Sequence, residues 1–403
     1  MPATGYREAL RSPPVRRLWS AAVISTVGDY VGLGALLFLA ADRTGVALGT
    51  AGVLAVGVVP SMLTGIVAGP WLDRFDRRRA LAVLQLIGAA VICLPVLIDG
   101  AVIVFATAAL LAGVRIATVA VRSGAMAEGV HDHHRGALVA LLSSTDQGSQ
   151  VIGYLTGGAL YVVLGAEVAL LVDAASFVLA ALVLSQLRLP RPGVREERRP
   201  IGAGITDICR DPVLRLLASL VLVTGLVASL PEVLAPSVAG PGDPLRPVVL
   251  AAGPAGQVIA MTLLGRTPHV RRPWVQLTHM TLLGVALAIA ALGRTPAAIA
   301  AANLLVGAGT AWIVGPQVVF LRRAPNLRMG QITGTMVAGL AVADGVGSLS
   351  LAGLADLAGI QAAYAAGALI VAVAAVIGWS ARRRTEDLLT LDVSPLAEDE
   401  DDT

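Results

Sequence analysis

The chain has 403 residues, 56% hydrophobic and only 14% charged, with a formal net charge of +3 and a mean hydropathy of +0.78. A water-soluble domain carries about 25% charged residues, so these proportions exclude an ordinary soluble enzyme or binding module. They also exclude a nucleic-acid-binding protein, because the small positive balance comes from arginines that flank apolar runs and not from one basic face.

Apolar runs recur along the whole length and none alternates with a period of two. The chain therefore reads as an all-α polytopic membrane protein and not as a β-barrel. Every basic side chain is arginine, which with the bias toward Ala, Gly and Val suggests a GC-rich bacterial genome. Cys93 falls in an apolar run and Cys209 in a charged loop, so neither a disulfide between them nor redox chemistry is expected.

About 20 residues cross the hydrocarbon core. Twelve stretches are read as spans: 18–40, 48–68, 80–98, 102–121, 137–164, 168–187, 213–235, 248–264, 275–292, 297–321, 332–354 and 362–381. A polar, basic segment (1–17) precedes the first, which is too long for a cleavable signal. That span carries Asp29 about twelve residues in, or about 18 Å from its start. The second and third spans are separated by the charged hinge GPWLDRFDRRR (69–79), which must lie in water. The fourth contains Arg115. The HDHHR run (131–135) is read as a solvated loop and not a metal site, since it has no helical histidine pair backed by a carboxylate. The fifth span places Asp146, Gln147 and Gln150 within about one turn, so at least one should face inward. Asp173 in the sixth is read as structural, snorkelling near the outer interface.

The loop 188–212, rich in Arg, Pro and Glu, divides the spans into halves 18–187 and 213–381. The seventh span is interrupted by Pro231 and Pro236 and carries Glu232; the eighth holds Pro254 and Gln257. Asn303, Trp312 and Gln317 fall in the tenth and Asp344 in the eleventh. An acidic tail (382–403) ends the chain. The halves echo each other at an offset of about 195 residues, as a parallel repeat would. Gly69 with Arg77 and Arg78 recurs as Gly265 with Arg271 and Arg272, and Arg135-Gly136 recurs as Arg328-Met329-Gly330.

Arginines gather on alternate connections: Arg7 to Arg17, 74–79, Arg135, 188–199, Arg266 to Arg272, Arg322 to Arg328, and 382–384. The other connections hold Arg43, Arg246 and Arg294. The positive-inside rule puts the rich side, and with it both termini, in the cytoplasm of a bacterial inner membrane.

An ionisable group at the bilayer centre costs about 2.5–3.5 kcal/mol on the insertion scale, so each needs a partner or a wet cavity. Asp29, Asp146 and Asp344 are the candidate proton-coupling acids. Arg115 cannot shed its proton and needs an acid or a water-filled cavity; Asp146 in the fifth span is one candidate acid. With Gln147, Gln150, Glu232, Gln257, Asn303 and Gln317, Arg115 forms the candidate polar lining of a substrate cavity. Trp312 either packs on a substrate or fills a helix interface. With no lysine, no Gly-Lys-Ser/Thr phosphate loop is possible.

At this point the chain resembles the major facilitator superfamily. The hinge of that family reads G-x-x-x-D-R-x-G-R-R; Gly69, Asp73, Arg74, Arg77 and Arg78 match, and Asp76 stands for the second glycine. Asp tolerates left-handed backbone better than most residues, so the turn is expected to survive. The family's drug–proton antiporters carry G-x-x-x-G-P-x-x-G-G in the fifth span. Here Gly153, Gly157 and Gly158 are kept, while Ser149 and Tyr154 replace the first glycine and the proline. The opening span and the VDAASFVLAALVL of the sixth look like the macrolide and siderophore exporters of the superfamily.

The resemblance implies twelve helices in two six-helix halves that rock about a midplane site. Asp73 would latch near Gly330, Arg77 would pair with Asp73 or Glu128, and Arg115 would meet Asp29, since the family packs the first and fourth spans side by side, with Asp146 an equal candidate. It further implies export of a small, partly apolar organic compound in exchange for protons. The expected partners are that substrate, protons and the lipid bilayer, with a monomeric chain and no cofactor, metal or enzymatic activity. The alternatives are an importer of a small nutrient and a non-transporting membrane receptor or scaffold.

Overall fold

A computed structural model of the chain describes residues 6–64, 75–187, 208–210, 212–264, 273–311 and 329–391. Helices occupy each of the twelve expected windows among the described residues: α1 (Pro13–Thr44), α2 (Ala47–Ala55), α3 (Arg77–Ile92), α4 (Ala101–Gly129), α5 (Asp132–Leu164), α6 (Ala166–Ser185), α7 (Pro212–Ala228), α8 (Arg246–Leu264), α9 (Pro273–Leu292), α10 (Pro296–Thr310), α11 (Met329–Ala358) and α12 (Ile360–Leu391). Short helical pieces, Leu94–Leu97 and Leu230–Val238, continue α3 and α7. Seven helical stretches are long and apolar enough to cross a membrane, and shorter apolar helices lie at Ala47–Leu63, Leu277–Leu292 and Pro296–Thr310.

Several helices outrun their hydropathy windows. α4 reaches Gly129 and α5 starts at Asp132, so His133 and His134 sit in a first helical turn and not in a loop. Hydropathy reports where hydrocarbon ends; backbone hydrogen bonding continues into water until a cap stops it. Gly45 is such a stop. Its φ of 71° lets its N–H reach Ala41 O and close α1, a left-handed conformation that a Cβ disfavours. Gly359, at φ 91°, likewise turns α11 into α12. α7 breaks at Ser229 and restarts at Leu230, because Pro231 has no N–H to donate to the preceding turn.

Neighbour relations repeat along the chain. α5 lies on α1, and α3 packs against α4 and α6; correspondingly α11 lies on α7, and α9 packs against α10 and α12. α5 with α8 and α2 with α11 join the two sets. Glycines set how closely the first pair approaches. A Cβ on Gly153 would lie 2.9 Å from Val27 O, and one on Gly157 would overlap Val31 O and lie 2.7 Å from Val31 Cα. Gly158 faces Pro247 at the start of α8, where a Cβ would come within 2.8 Å. These obstacles are mostly backbone of α1, which cannot swing aside as a side chain can. On the other side of the bundle, Gly347 of α11 meets the backbone of Leu226 in the same manner. Close small-residue contacts of this kind hold helices together where lipid removes the hydrophobic drive between them.

Replacing Gly157 with Val should therefore cost more than about 1–3 kcal/mol of overpacking. The expected outcome is a several-fold loss of monodisperse protein after detergent extraction. Gly148→Val, at a glycine with open space around it, should extract like the native chain.

Candidate functional site

A cavity of about 580 Å³ opens among α1, α2, α3, α4, α5, α6 and α11. That size suits a small organic molecule. Its wall carries Asp29, Arg115, Arg122, Asp146, Asp173 and Asp344 among mostly apolar residues. The charges of Arg115, Arg122 and Asp146 all act on Asp29.

The structure pairs Arg115 with Asp146 and not with Asp29. Arg115 Nη2 donates to Asp146 Oδ1 at 3.4 Å and to the Tyr30 hydroxyl at 3.5 Å. Tyr30 in turn donates to Asp146 Oδ1 at 3.5 Å, and its ring lies 5.6 Å below the guanidinium carbon. These are long hydrogen bonds between side chains 48% and 42% exposed to the cavity, so the pair is loosely held and open to exchange of partners.

Glu232 lies apart from that wall, in the first turn after the break in α7. Gln150 Nε2 donates to its Oε1 at 3.0 Å and the Tyr154 hydroxyl to its Oε2 at 2.8 Å. Both donors come from α5, so this carboxylate ties the helix sets together. Tyr154 stands where the exporter motif has proline, and its hydroxyl supplies one of the two bonds. Asn303 is fully buried and accepts from Tyr364 OH at 3.0 Å, turned toward α12. Gln257 meets α10 at Gly307. Gln147 Oε1 and Asp344 Oδ1 are buried without a hydrogen-bond partner. Trp312, Gln317, Gly69, Asp73 and Arg74 lie outside the described residues.

Of the hinge, the structure describes the last part. Asp76 has φ −58° and accepts from Arg79 N–H at 2.9 Å. It is a side-chain cap of α3 and not the left-handed turn residue expected from the family glycine. An aspartate at this position satisfies an orphan N–H and meets the positive end of the helix dipole. The Arg77 guanidinium lies over Gly124 of α4, where a Cβ would come within 2.8 Å of its Cζ. Arg78 follows in the first turn of α3, and Glu128 lies one turn beyond Gly124, at the end of α4.

The end of the bundle remote from the start of α1 is clasped by charges that sequence reasoning left out. Arg246, at the start of α8, is 1% exposed and forms a bidentate pair with Asp42 of α1. Its Nη2 and Nη1 donate at 2.6 and 3.1 Å, and Tyr161 OH donates to the same carboxylate at 2.8 Å. The guanidinium stacks 4.3 Å over the Phe38 ring. Beside this clasp, Asp356 of α11 accepts from the Ala47 and Leu48 N–H groups at 2.7 and 2.9 Å, capping α2 from another helix. The only sequence signal for these partners was their position at span ends. Asp173 was also misplaced: it is 1% exposed and faces α1, not the outer interface.

A helical bundle with paired charges at depth, a chamber of molecular size and a charged clasp at one end is the architecture of a membrane transporter and not of an enzyme. The chain belongs to the Major Facilitator Superfamily, whose family profile matches residues 18–267. It is 28% identical to the multidrug efflux pump Tap of Mycolicibacterium fortuitum, over 88% of this chain and 92% of that one. It is also 28% identical to the Tap pump of Mycobacterium tuberculosis, over 97% and 98%. The nucleoside transporter NupG superposes with a TM-score of 0.70 at 12% identity, over 91% of this chain and 98% of that one, which shows a shared fold.

The clasp yields a measurable expectation. Asp42→Asn leaves Arg246 buried with its carboxylate counter-charge gone, and removing one partner of a buried pair costs about 3–5 kcal/mol. Because Asp42 is 25% exposed, the loss should fall near the lower end. Thermal unfolding of purified protein should drop by several degrees, and Asp42→Asn combined with Arg246→Met should recover much of it.

Proposed function

We propose that the chain is an exporter of the bacterial inner membrane, moving a small, partly apolar organic compound outward by alternating access in exchange for protons. The observation that carries this reading is the chamber whose apolar wall holds Asp29 at membrane depth beside the Arg115–Asp146 pair. A carboxyl there is costly when ionised in a dry surrounding and cheap when wet, so opening and closing the chamber gives protons a reason to bind and leave. The efflux relatives supply the direction of transport. Likeness to a nucleoside transporter extends to the fold alone and favours no importer.

In this reading both termini lie in the cytoplasm and a single chain is the working unit, its halves 18–187 and 213–381 rocking about the chamber. The Asp42–Arg246 clasp and the Asp356 cap close the outer side while the chamber faces inward; both must break for it to open outward. On the inner side, this reading assigns the latch to Asp73, toward the start of α11 around Gly330, and pairs Arg77, which lies over Gly124, with Asp73 or Glu128. Such contacts are worth at most a few kcal/mol each, weak enough to open in every cycle. Glu232, bridged to Gln150 and Tyr154, holds the two helix sets in register at the chamber's flank. Asp344, with one oxygen unpartnered, is the acid of the second half that can take up a proton.

The test is ethidium efflux from proteoliposomes under an imposed pH gradient. The native chain should respond to the gradient severalfold, and Asp29→Asn should transport without responding. Flux of the native chain that ignores the gradient would remove proton exchange, and inward-only flux would support the importer. Separately, Asp73→Asn should insert normally yet slow transport by about tenfold; an unchanged rate would dismiss the latch.

A further inference from the structure

The sixth helix carries an acid that the mechanism above does not use. Asp173 is buried and belongs to the chamber wall. Its carboxylate lies against α1 at a place where α1 has no side chains. A Cβ on Gly28 would come within 2.8 Å of Asp173 Oδ1, and one on Gly32 would overlap Oδ2. Gly28 and Gly32 are four residues apart, hence on one face and one turn from each other. Together they form a slot in α1 that the carboxylate of α6 fills. Ser176 of the same helix borders this slot and donates to Oδ1 at 3.3 Å.

What surrounds Asp173 is short of positive charge. Among the described residues no arginine pairs with it. From α1 the titratable group that acts on it is Asp29, the neighbour of Gly28 in sequence. From α3 the thiol of Cys93 feels its charge, and the Ser25–Gln85 hydrogen bond between α1 and α3 lies along the same wall. α5 presents no charge that acts on it. Arg115 and Arg122 act on Asp29.

We propose that Asp173 is a further proton-binding carboxyl of the chamber, lodged in the Gly28–Gly32 slot and sharing its protons with Asp29. The chemistry follows from the placement. A lone carboxylate enclosed by helices has only two remedies, a cation or a proton, and among the described residues no cationic side chain pairs with it. Asp29 stands on the chamber wall with the Arg115–Asp146 pair, and Asp173, on the same wall, has no arginine partner among the described residues. A proton arriving on Asp29 can pass to Asp173 when the Arg115–Asp146 pair shifts. No bond other than O–H is made or broken. The slot also explains why two glycines stand at Gly28 and Gly32 in a helix that otherwise tolerates large residues: any side chain there would push the acid out.

This inference rests on the proton-exchange reading, and a labelling experiment separates the two. Full-length protein in lipid nanodiscs is treated with dicyclohexylcarbodiimide, which attacks protonated carboxyls in apolar surroundings, and adducts are located by mass spectrometry. Asp173 should be labelled severalfold more at pH 5.5 than at pH 8.5, and Asp173→Asn should alter the pH profile of labelling at Asp29. Absence of label on Asp173 at both pH values while Asp29 reacts, or a pH-independent adduct, would overturn the proposal without touching the function of Asp29. In proteoliposomes, Asp173→Asn should weaken the response of ethidium flux to the pH gradient severalfold. If the native chain responds and Asp173→Asn responds equally, this inference alone falls; if the native chain does not respond, both readings fall. Should Asp173→Asn fail to fold, Gly32→Ala, which crowds the carboxylate while keeping it, provides the same comparison of labelling.

Discussion

A charge inside a bilayer must have a counter-charge or water, and the arrangement of this bundle follows from where its charges find one or the other. Arg115 is permanently charged, so it fixes a point that must stay polar. Asp146 and Tyr30 answer it from α5 and α1, and the gap these three leave is the start of the chamber. At the remote end the same requirement is met differently. Arg246 is enclosed, and Asp42, Tyr161 and the Phe38 ring together replace its hydration. One cation sits in a loose, wet pair and the other in a tight, dry one. That contrast gives the molecule an open interior and a closed end.

The close contact of α5 with α1 is the mechanical counterpart. Gly153 and Gly157 bring two backbones together, and from the same helix Tyr154 and Gln150 reach Glu232 on the short helix Leu230–Val238. Without these donors a buried glutamate would be left unpaired. A helix that carries both features can transmit a shift at the chamber to the opposite helix set, since it touches α1 at one face and α8 at another.

Much of the fold was legible because hydropathy and arginine placement are long-range statistics that tolerate local error. Helices appear in all twelve windows among the described residues, and the interruption in the seventh lies at Ser229, just before the Pro231 that marked it. What proved less legible was the ends of elements and the identity of partners. Asp76 was read as a turn residue standing for glycine, and it caps a helix instead, because a cap and a tight turn favour the same small acidic side chain. Asp29 and Asp146 were equal candidates for Arg115, since rise per residue sets depth but not the face that a helix presents. Asp173 was read as snorkelling, since periodicity on a uniformly apolar helix cannot say which side meets protein and which meets lipid.

The sequence by itself determined the solvent of this protein, its helical class and its family, because those depend on composition and on order along one dimension. The tertiary structure decided which acid meets which arginine, which glycines admit a carboxylate, and where the bundle is shut. Those outcomes turn on the rotation of each helix about its own axis. A rotation of one residue, about 100°, moves a carboxyl from lipid to chamber while leaving every hydropathy window unchanged.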